Sequence, residues 1–147
     1  MRRMLLVLDD DRNRLRGFES VAPRLGNEWD LRMWRDAPSM LAEIDSFLGQ
    51  ASLISLDHDL YKDAPSDPEP GTGRAVADWL AGRAPVCPVI VHSTNTDAAW
   101  GMYNELRAGG WTVELVHHLG EPAWIEDRWL PLAQRLSLAQ RPLGAAG

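Results

Sequence analysis

The chain has 147 residues, 45% of them hydrophobic and 24% charged, with a formal net charge of −6. That suits one domain, residues 1–147, with a sizeable core, and it argues against non-specific binding to nucleic acid, which needs basic patches. No apolar run approaches the roughly 20 residues that span a bilayer, so no membrane partner is expected. A single cysteine, Cys87, allows no intrachain disulfide and points to a reducing, cytoplasmic setting.

The first residues are basic and then apolar, but the apolar stretch is short and runs into Asp9-Asp10-Asp11. Residues 4–8 therefore read as a buried strand rather than a leader. Leu15, Phe18, Val21 and Ala22 recur at helical spacing within residues 12–25. Residues 30–34 make a second strand. Asp36-Ala37-Pro38 is a helix start, and Met40, Leu41, Ile44, Phe47 and Leu48 share one face before Gly49. Residues 52–56 are a third strand.

The segment 58–73 breaks the rhythm, with four Asp or Glu, three Pro and two Gly. It exceeds the roughly 2–6 residues of an ordinary strand-to-helix connection, which suggests a mobile lid or binding loop. A helix follows over 74–82, a strand over 89–92, a helix over 97–108 ended by Gly109-Gly110, a strand over 112–116 and a helix over 123–138. Residues 141–147 are expected to fray. The seven tryptophans are expected to pack in the core, as is Cys87 between Val86 and Pro88.

Strands that alternate with helices predict a five-stranded parallel sheet, doubly wound, with helices on both faces. In such sheets ligands bind beyond the C-terminal strand ends, where strand order reverses. Those ends carry Asp9, Asp10 and Asp11; Asp57, His58 and Asp59; His92, Ser93, Thr94 and Asn95; and His117 and His118. All four histidines of the chain fall there.

Asp9, Asp10 and Asp57 form a credible oxygen cage for Mg²⁺ or Mn²⁺, since converging carboxylates without a cation repel one another. The competing reading is that Asp10 and Asp11 cap the first helix. His58 and His92 suit proton transfer near neutral pH, or orientation of the carboxylates. Ser93, Thr94 and Asn95 offer groups for a phosphoryl oxygen, or caps for the fourth helix. Gly71-Thr72-Gly73 would let backbone amides approach an anion, though as a motif it falls far short of a P-loop.

Taken together these residues resemble a receiver domain of two-component signalling, with Asp9 and Asp10 as its acidic pair, Asp57 as its phosphoacceptor and Ser93 as its hydroxyl. A receiver carries a lysine after the fifth strand, whereas Val116 is followed here by His117 and His118. Leu8-Asp9-Asp10, Asp57-His58-Asp59-Leu60 and His92-Ser93-Thr94-Asn95 are similar to the cyclic-phosphate processing receiver-like family. That resemblance implies a receiver (flavodoxin-like) topology and metal-dependent handling of a cyclic phosphate in RNA repair or processing.

The expectation is thus a metal-dependent phosphoesterase acting on a small phosphorylated ligand or a nucleotide or RNA end. Asp57, His58 and His92 would be catalytic, with Asp59, His117 and His118 as further candidates. The alternatives are a divergent receiver phosphorylated on Asp57 and a non-catalytic phosphate-binding module. A haloacid-dehalogenase-like phosphatase is weaker, because Arg12 follows Asp9-x-Asp11 where Thr or Val is expected.

Overall fold

A computed structural model describes residues 2–119 and 121–139. The expected tail at 141–147 lies outside them. Five strands run β1 (Arg3–Leu8), β2 (Trp29–Trp34), β3 (Ala51–Leu56), β4 (Val89–Ser93) and β5 (Val113–His117). All pair in parallel, in the order β2-β1-β3-β4-β5. The chain winds outward from β1 to β2, then returns across β1 to β3 and continues to β5. The order therefore reverses between β1 and β3.

Five helices connect or follow the strands: α1 (Arg12–Val21), α2 (Ala37–Phe47), α3 (Gly73–Ala81), α4 (Thr96–Ala108) and α5 (Leu130–Ala139). Asp11 caps α1 through the Arg14 amide, Asp36 caps α2 through Ser39 and Asn95 caps α4 through Ala98. Each cap satisfies an amide that the first helical turn leaves without a partner. The first helix was expected to reach residue 25. It ends at Val21 and tightens to a 3-10 turn over Ala22–Leu25, because Pro23 cannot donate a helical hydrogen bond. The last helix opens with a π-turn over Ile125–Trp129 instead of continuous α-helix from 123.

Side chains alternate faces along a strand, and β1 is buried on both. Met4, Leu6 and Leu8 join the core under α2, α3 and α4, whereas Leu5 and Val7 join the one under α1 and α5. Trp29, Trp34, Trp111, Trp124 and Trp129 are buried as expected and Trp79 is partly buried against the core, but Trp100 is 48% exposed, its ring set edge-on to Tyr103. Cys87 is buried, which pushes its thiol up to about 12 and leaves it a poor nucleophile. No helix among the described residues is long and apolar enough to cross a membrane.

A carboxylate cluster at the sheet's switch point

The register delivers the site. Leu8 pairs with Leu56, and Leu56 with Val91, so β1, β3 and β4 end side by side. The Asp57 amide then donates to the Leu8 carbonyl at 2.9 Å and the Asp9 amide to the Trp34 carbonyl at 3.1 Å, which carries the ladder one step past the strands. By alternation Asp9 follows Leu5 and Val7 toward the α1/α5 face. Asp57 follows Leu53 and Ser55, and His92 follows Ile90. Four polar side chains, Asp9, Ser55, Asp57 and His92, are thereby buried on one side of the sheet.

Asp9, Asp10 and Asp57 each offer a carboxylate oxygen within 4.8 Å of the others. Their hydrogen bonding is uneven. Asp9 Oδ1 accepts from the Asp11 amide and Arg14 Nε, and Oδ2 accepts from Arg14 Nε and His92 Nε2. Asp57 Oδ1 accepts from the His58 amide, while Oδ2 has Arg14 Nη2 at 3.4 Å. Asp10 Oδ2 accepts from the Tyr61 amide at 2.9 Å. Buried Asp10 Oδ1 accepts no hydrogen bond and has Arg14 Nη2 at 3.6 Å. The capping alternative therefore splits: Asp11 caps α1, and Asp10 faces the cluster.

The electrostatics follow this geometry. Burial alone would raise Asp9, but hydrogen bonds from His92 and Arg14 reverse the effect and hold it at about 2. Burial, reinforced by the Asp9 charge and opposed by Arg14, lifts Asp57 to about 8. Burial also raises Asp10. One guanidinium thus balances three carboxylates, and two of the three are reluctant to ionise. A divalent cation fits that deficit: Asp57 Oδ2 and Asp10 Oδ1 are the under-satisfied oxygens, and the donor set is the all-oxygen kind Mg²⁺ and Mn²⁺ take.

Arg14 was not foreseen, although a local signal existed. It stands at the third position of α1, where the helix dipole disfavours a cation, and no acidic residue occupies that first turn. A cation placed there against the dipole implies a strong carboxylate partner.

His92 sits elsewhere than a proton-transfer group in contact with a ligand would. It is fully buried, with both ring nitrogens engaged. Trp129 Nε1 donates to Ser55 Oγ at 2.9 Å, Ser55 Oγ lies 2.7 Å from His92 Nδ1, and His92 Nε2 lies 2.9 Å from Asp9 Oδ2. A carboxylate only accepts, so Nε2 carries a proton to Asp9, and Ser55 Oγ, which accepts from the Trp129 indole, donates to Nδ1 when the ring is neutral. Phe18, Trp124 and His118 surround the ring. Through Nε2 the His92 ring holds the Asp9 carboxylate from within the core. The sequence does not mark Ser55 or Trp129, because serine in a strand and tryptophan in a helix carry no distinctive spacing.

His58 has the more open arrangement. Its side chain is 18% exposed, with Nδ1 2.7 Å from Asp59 Oδ1. Asp59 is steadied by Asn95 Nδ2 at 3.4 Å and by a bridge to Thr72. Asn95 thus serves as helix cap and as second partner of Asp59. Ser93 is buried and accepts from the Asn95 amide, and Thr94 is exposed. His117 is exposed beside Thr96 Oγ1, at 3.3 Å, and its carbonyl accepts from Arg128. His118 is stacked on Trp124, with centroids 4.2 Å apart. Burial, aided by repulsion from His92 and Arg14, lowers His118 to about 3. The position after β5 thus supplies no positive charge; the nearby cation comes from α1.

Gly73 plays a packing role rather than cradling an anion. A Cβ there would lie 1.8 Å from the Asp57 carbonyl oxygen, and the Gly73 amide donates to the His58 carbonyl. The expected lid is fastened at several points. Asp63 accepts from Arg12 and Arg35, Lys62 pairs with Glu69, the Tyr61 amide holds Asp10 and the Pro70 carbonyl accepts from the Ala37 amide.

A family model described as the cyclic-phosphate processing receiver domain matches residues 4–108. Among curated proteins there is no significant match. Among solved structures, a response regulator receiver domain from Rhodospirillum rubrum aligns over 95% of this chain and 96% of its own, at 18% identity and a TM-score of 0.68. The phosphorylated cyanobacterial phytochrome response regulator RcpA aligns over 97% and 98%, at 15% identity and a TM-score of 0.68. The response regulator domain of Thermotoga maritima CheB aligns over 97% and 100%, at 12% identity and a TM-score of 0.66. At these identities the likeness is one of fold, and it agrees with the strand order β2-β1-β3-β4-β5.

Proposed function

The chain belongs to the cyclic-phosphate processing receiver family, and from that premise we propose that it is a metal-dependent phosphoesterase acting on a cyclic or terminal phosphate of a nucleotide or RNA end. The observation that carries the proposal is the carboxylate cluster: three acids within 4.8 Å, balanced by one arginine. Asp10 and Asp57, backed by Asp9, hold Mg²⁺ or Mn²⁺. Bound there, the cation supplies charge stabilisation at the phosphate oxygens.

The rest falls to the chain's own groups. His58, oriented through Nδ1 by Asp59, presents Nε2 and takes the proton of an attacking water. With a cyclic phosphate, the water oxygen bonds to phosphorus, the bond from phosphorus to one ribose oxygen breaks, protonated His58 or solvent returns a proton to that oxygen, and a phosphomonoester remains. Thr94, exposed after β4, and the edge at Ser93 are the groups available to a phosphate oxygen. His92 holds Asp9 in place.

A second reading has its own support. Asp57 directly follows β3 with Oδ2 held by Arg14 at 3.4 Å, in a fold shared with a phosphorylated response regulator. On that reading Asp57 attacks phosphorus and becomes an aspartyl phosphate.

A panel of 2′,3′-cyclic nucleotides, 3′,5′-cyclic nucleotides and phosphomonoesters, assayed with Mg²⁺ or Mn²⁺, decides between them. On the esterase reading the wild type turns over a panel member. His58→Ala then loses about 10²–10⁴ in rate with little change in melting temperature. His92→Ala is the contrast, losing about 1–3 kcal/mol of stability because Asp9 and Ser55 are left buried without their partner. No turnover of any panel member, together with labelling of Asp57 by acetyl phosphate in an intact-mass measurement, would favour the second reading.

A further inference from the structure

A cleft of about 390 Å³ opens between the start of α2 and the 61–70 segment, lined by Arg35, Tyr61, Lys62 and three prolines, Pro38, Pro68 and Pro70, with acidic residues around them. Two of its lining residues also touch Asp10 of the carboxylate cluster. The Tyr61 amide donates to Asp10 Oδ2, and Arg35 donates to the Asp10 carbonyl at 2.8 Å. The Tyr61 side chain is exposed at 71%, the most open aromatic ring among the described residues.

Its charges are already paired. Arg35 forks onto Asp63 at 2.6 and 2.9 Å, and Lys62 meets Glu69 at 2.6 Å. The cleft therefore has no spare positive charge for an anion, and its acidic lining would repel a second phosphate. What it offers instead is flat apolar surface beside an aromatic ring, with carboxylates at the rim that accept hydrogen bonds from exocyclic amino groups. Its volume falls in the range of small-ligand sites. Gly71 helps set this wall: its φ of +67 turns the chain so that Pro70 reaches α2, where the Pro70 carbonyl accepts from the Ala37 amide.

We propose that this cleft is a nucleobase subsite, in which Tyr61 stacks on the base of a nucleoside whose phosphate lies at the Asp10–Asp57 cluster. The inference rests on the phosphate reading of that cluster and names its substrate as a nucleoside phosphate. It also accounts for the fastening of the segment: the Tyr61 backbone is tied to the same aspartate that faces the phosphate site, which sets where the ring emerges.

Calorimetric titration with Mg²⁺ present tests it, using inorganic phosphate, nucleoside 2′- and 3′-monophosphates and a trinucleotide ending in a 3′-phosphate. The wild type should bind a mononucleotide about tenfold or more tighter than inorganic phosphate, the scale of one base–aromatic stack. Tyr61→Ala should erase that advantage without weakening inorganic phosphate, and Tyr61→Phe should keep it. A trinucleotide bound as tightly as the mononucleotide, and equally sensitive to Tyr61→Ala, identifies an RNA end as the source of the base; weaker binding identifies a free nucleotide. If the nucleotide advantage is missing, or survives in Tyr61→Ala, the subsite is wrong and the phosphate reading stands. If the wild type binds neither phosphate nor nucleotide, the phosphate reading falls and the subsite with it.

Discussion

Arg14 does two jobs that pull against each other. It holds Asp9 through Nε at 2.9 Å and reaches Asp57 and Asp10 at 3.4 and 3.6 Å. In doing so it lends all three carboxylates of the cluster a guanidinium and presents positive charge where a metal ion would bind. Its side chain is only 13% exposed, so solvent screens this charge poorly. Removing one partner of a buried ion pair typically costs about 3–5 kcal/mol, because the remaining charges stay buried. Arg14→Gln should therefore melt well below wild type in chelator. Millimolar Mg²⁺ should close much of that gap, since the cation takes over the charge balance and no longer meets a competing guanidinium. Melting curves of both proteins with and without Mg²⁺ check this. An equal gap in both conditions would mean that Arg14 acts through packing alone. Arg14→Lys should fall between, because an ammonium cannot make the forked contact.

The elements were largely legible in the sequence because their signals are local. The alternation of Leu5, Leu6, Val7 and Leu8 between two cores, the Asp36 cap ahead of Pro38 and the Gly109-Gly110 stop all act within a few residues of the element they define. Asp9, Asp10 and Asp57 were legible for a related reason: each lies within two residues of the end of a buried strand, and a parallel register brings such positions together. What stayed hidden depends on contacts far apart in sequence. Whether His92 faces a ligand or a core is settled by Trp129, 37 positions away, and Ser55, another 37 in the opposite direction. The role of Gly73 was hidden likewise, since only the fold shows that α3 begins against the Asp57 carbonyl. Gly73→Ala should cost about 2 kcal/mol or more, as overpacking against backbone does, and should weaken Mg²⁺ binding by displacing Asp57. Gly49→Ala is the control: nothing lies within 4 Å of its added Cβ, so its melting temperature should be close to wild type. Gly73→Ala melting with the control would disprove the close-packing argument.

At the scale of the whole molecule, a charge cluster set into a sheet's switch point makes folding stability depend on pH, and the sign can be worked out. Asp57 is raised from 3.8 to about 8 by burial and by Asp9. Between those values the folded state binds more protons than the unfolded one, so stability falls as pH rises. His118 is lowered from 6.5 to about 3, chiefly by burial. Over that range the unfolded state binds more protons, so stability rises with pH and opposes the Asp57 trend. Asp9, lowered to about 2, adds a further rise only between there and 3.8. Asp10, also raised by burial, acts in the same direction as Asp57; the opposing His118 trend ends at 6.5, and above it the Asp57 trend prevails. Wild type in chelator should therefore lose stability from pH 6.5 to about 8, with a slope of at most about 1.4 kcal/mol per pH unit for one proton. Millimolar Mg²⁺ should flatten or reverse that slope, because a cation favours ionised Asp57 and its binding strengthens as the proton leaves. Asp57→Asn, which carries no charge to desolvate, should show neither the slope nor the Mg²⁺ response. Denaturant unfolding at pH 6.5 and 8, in chelator and in Mg²⁺, measures all four values for each protein. Parallel behaviour of wild type and Asp57→Asn would place the pH dependence outside the cluster.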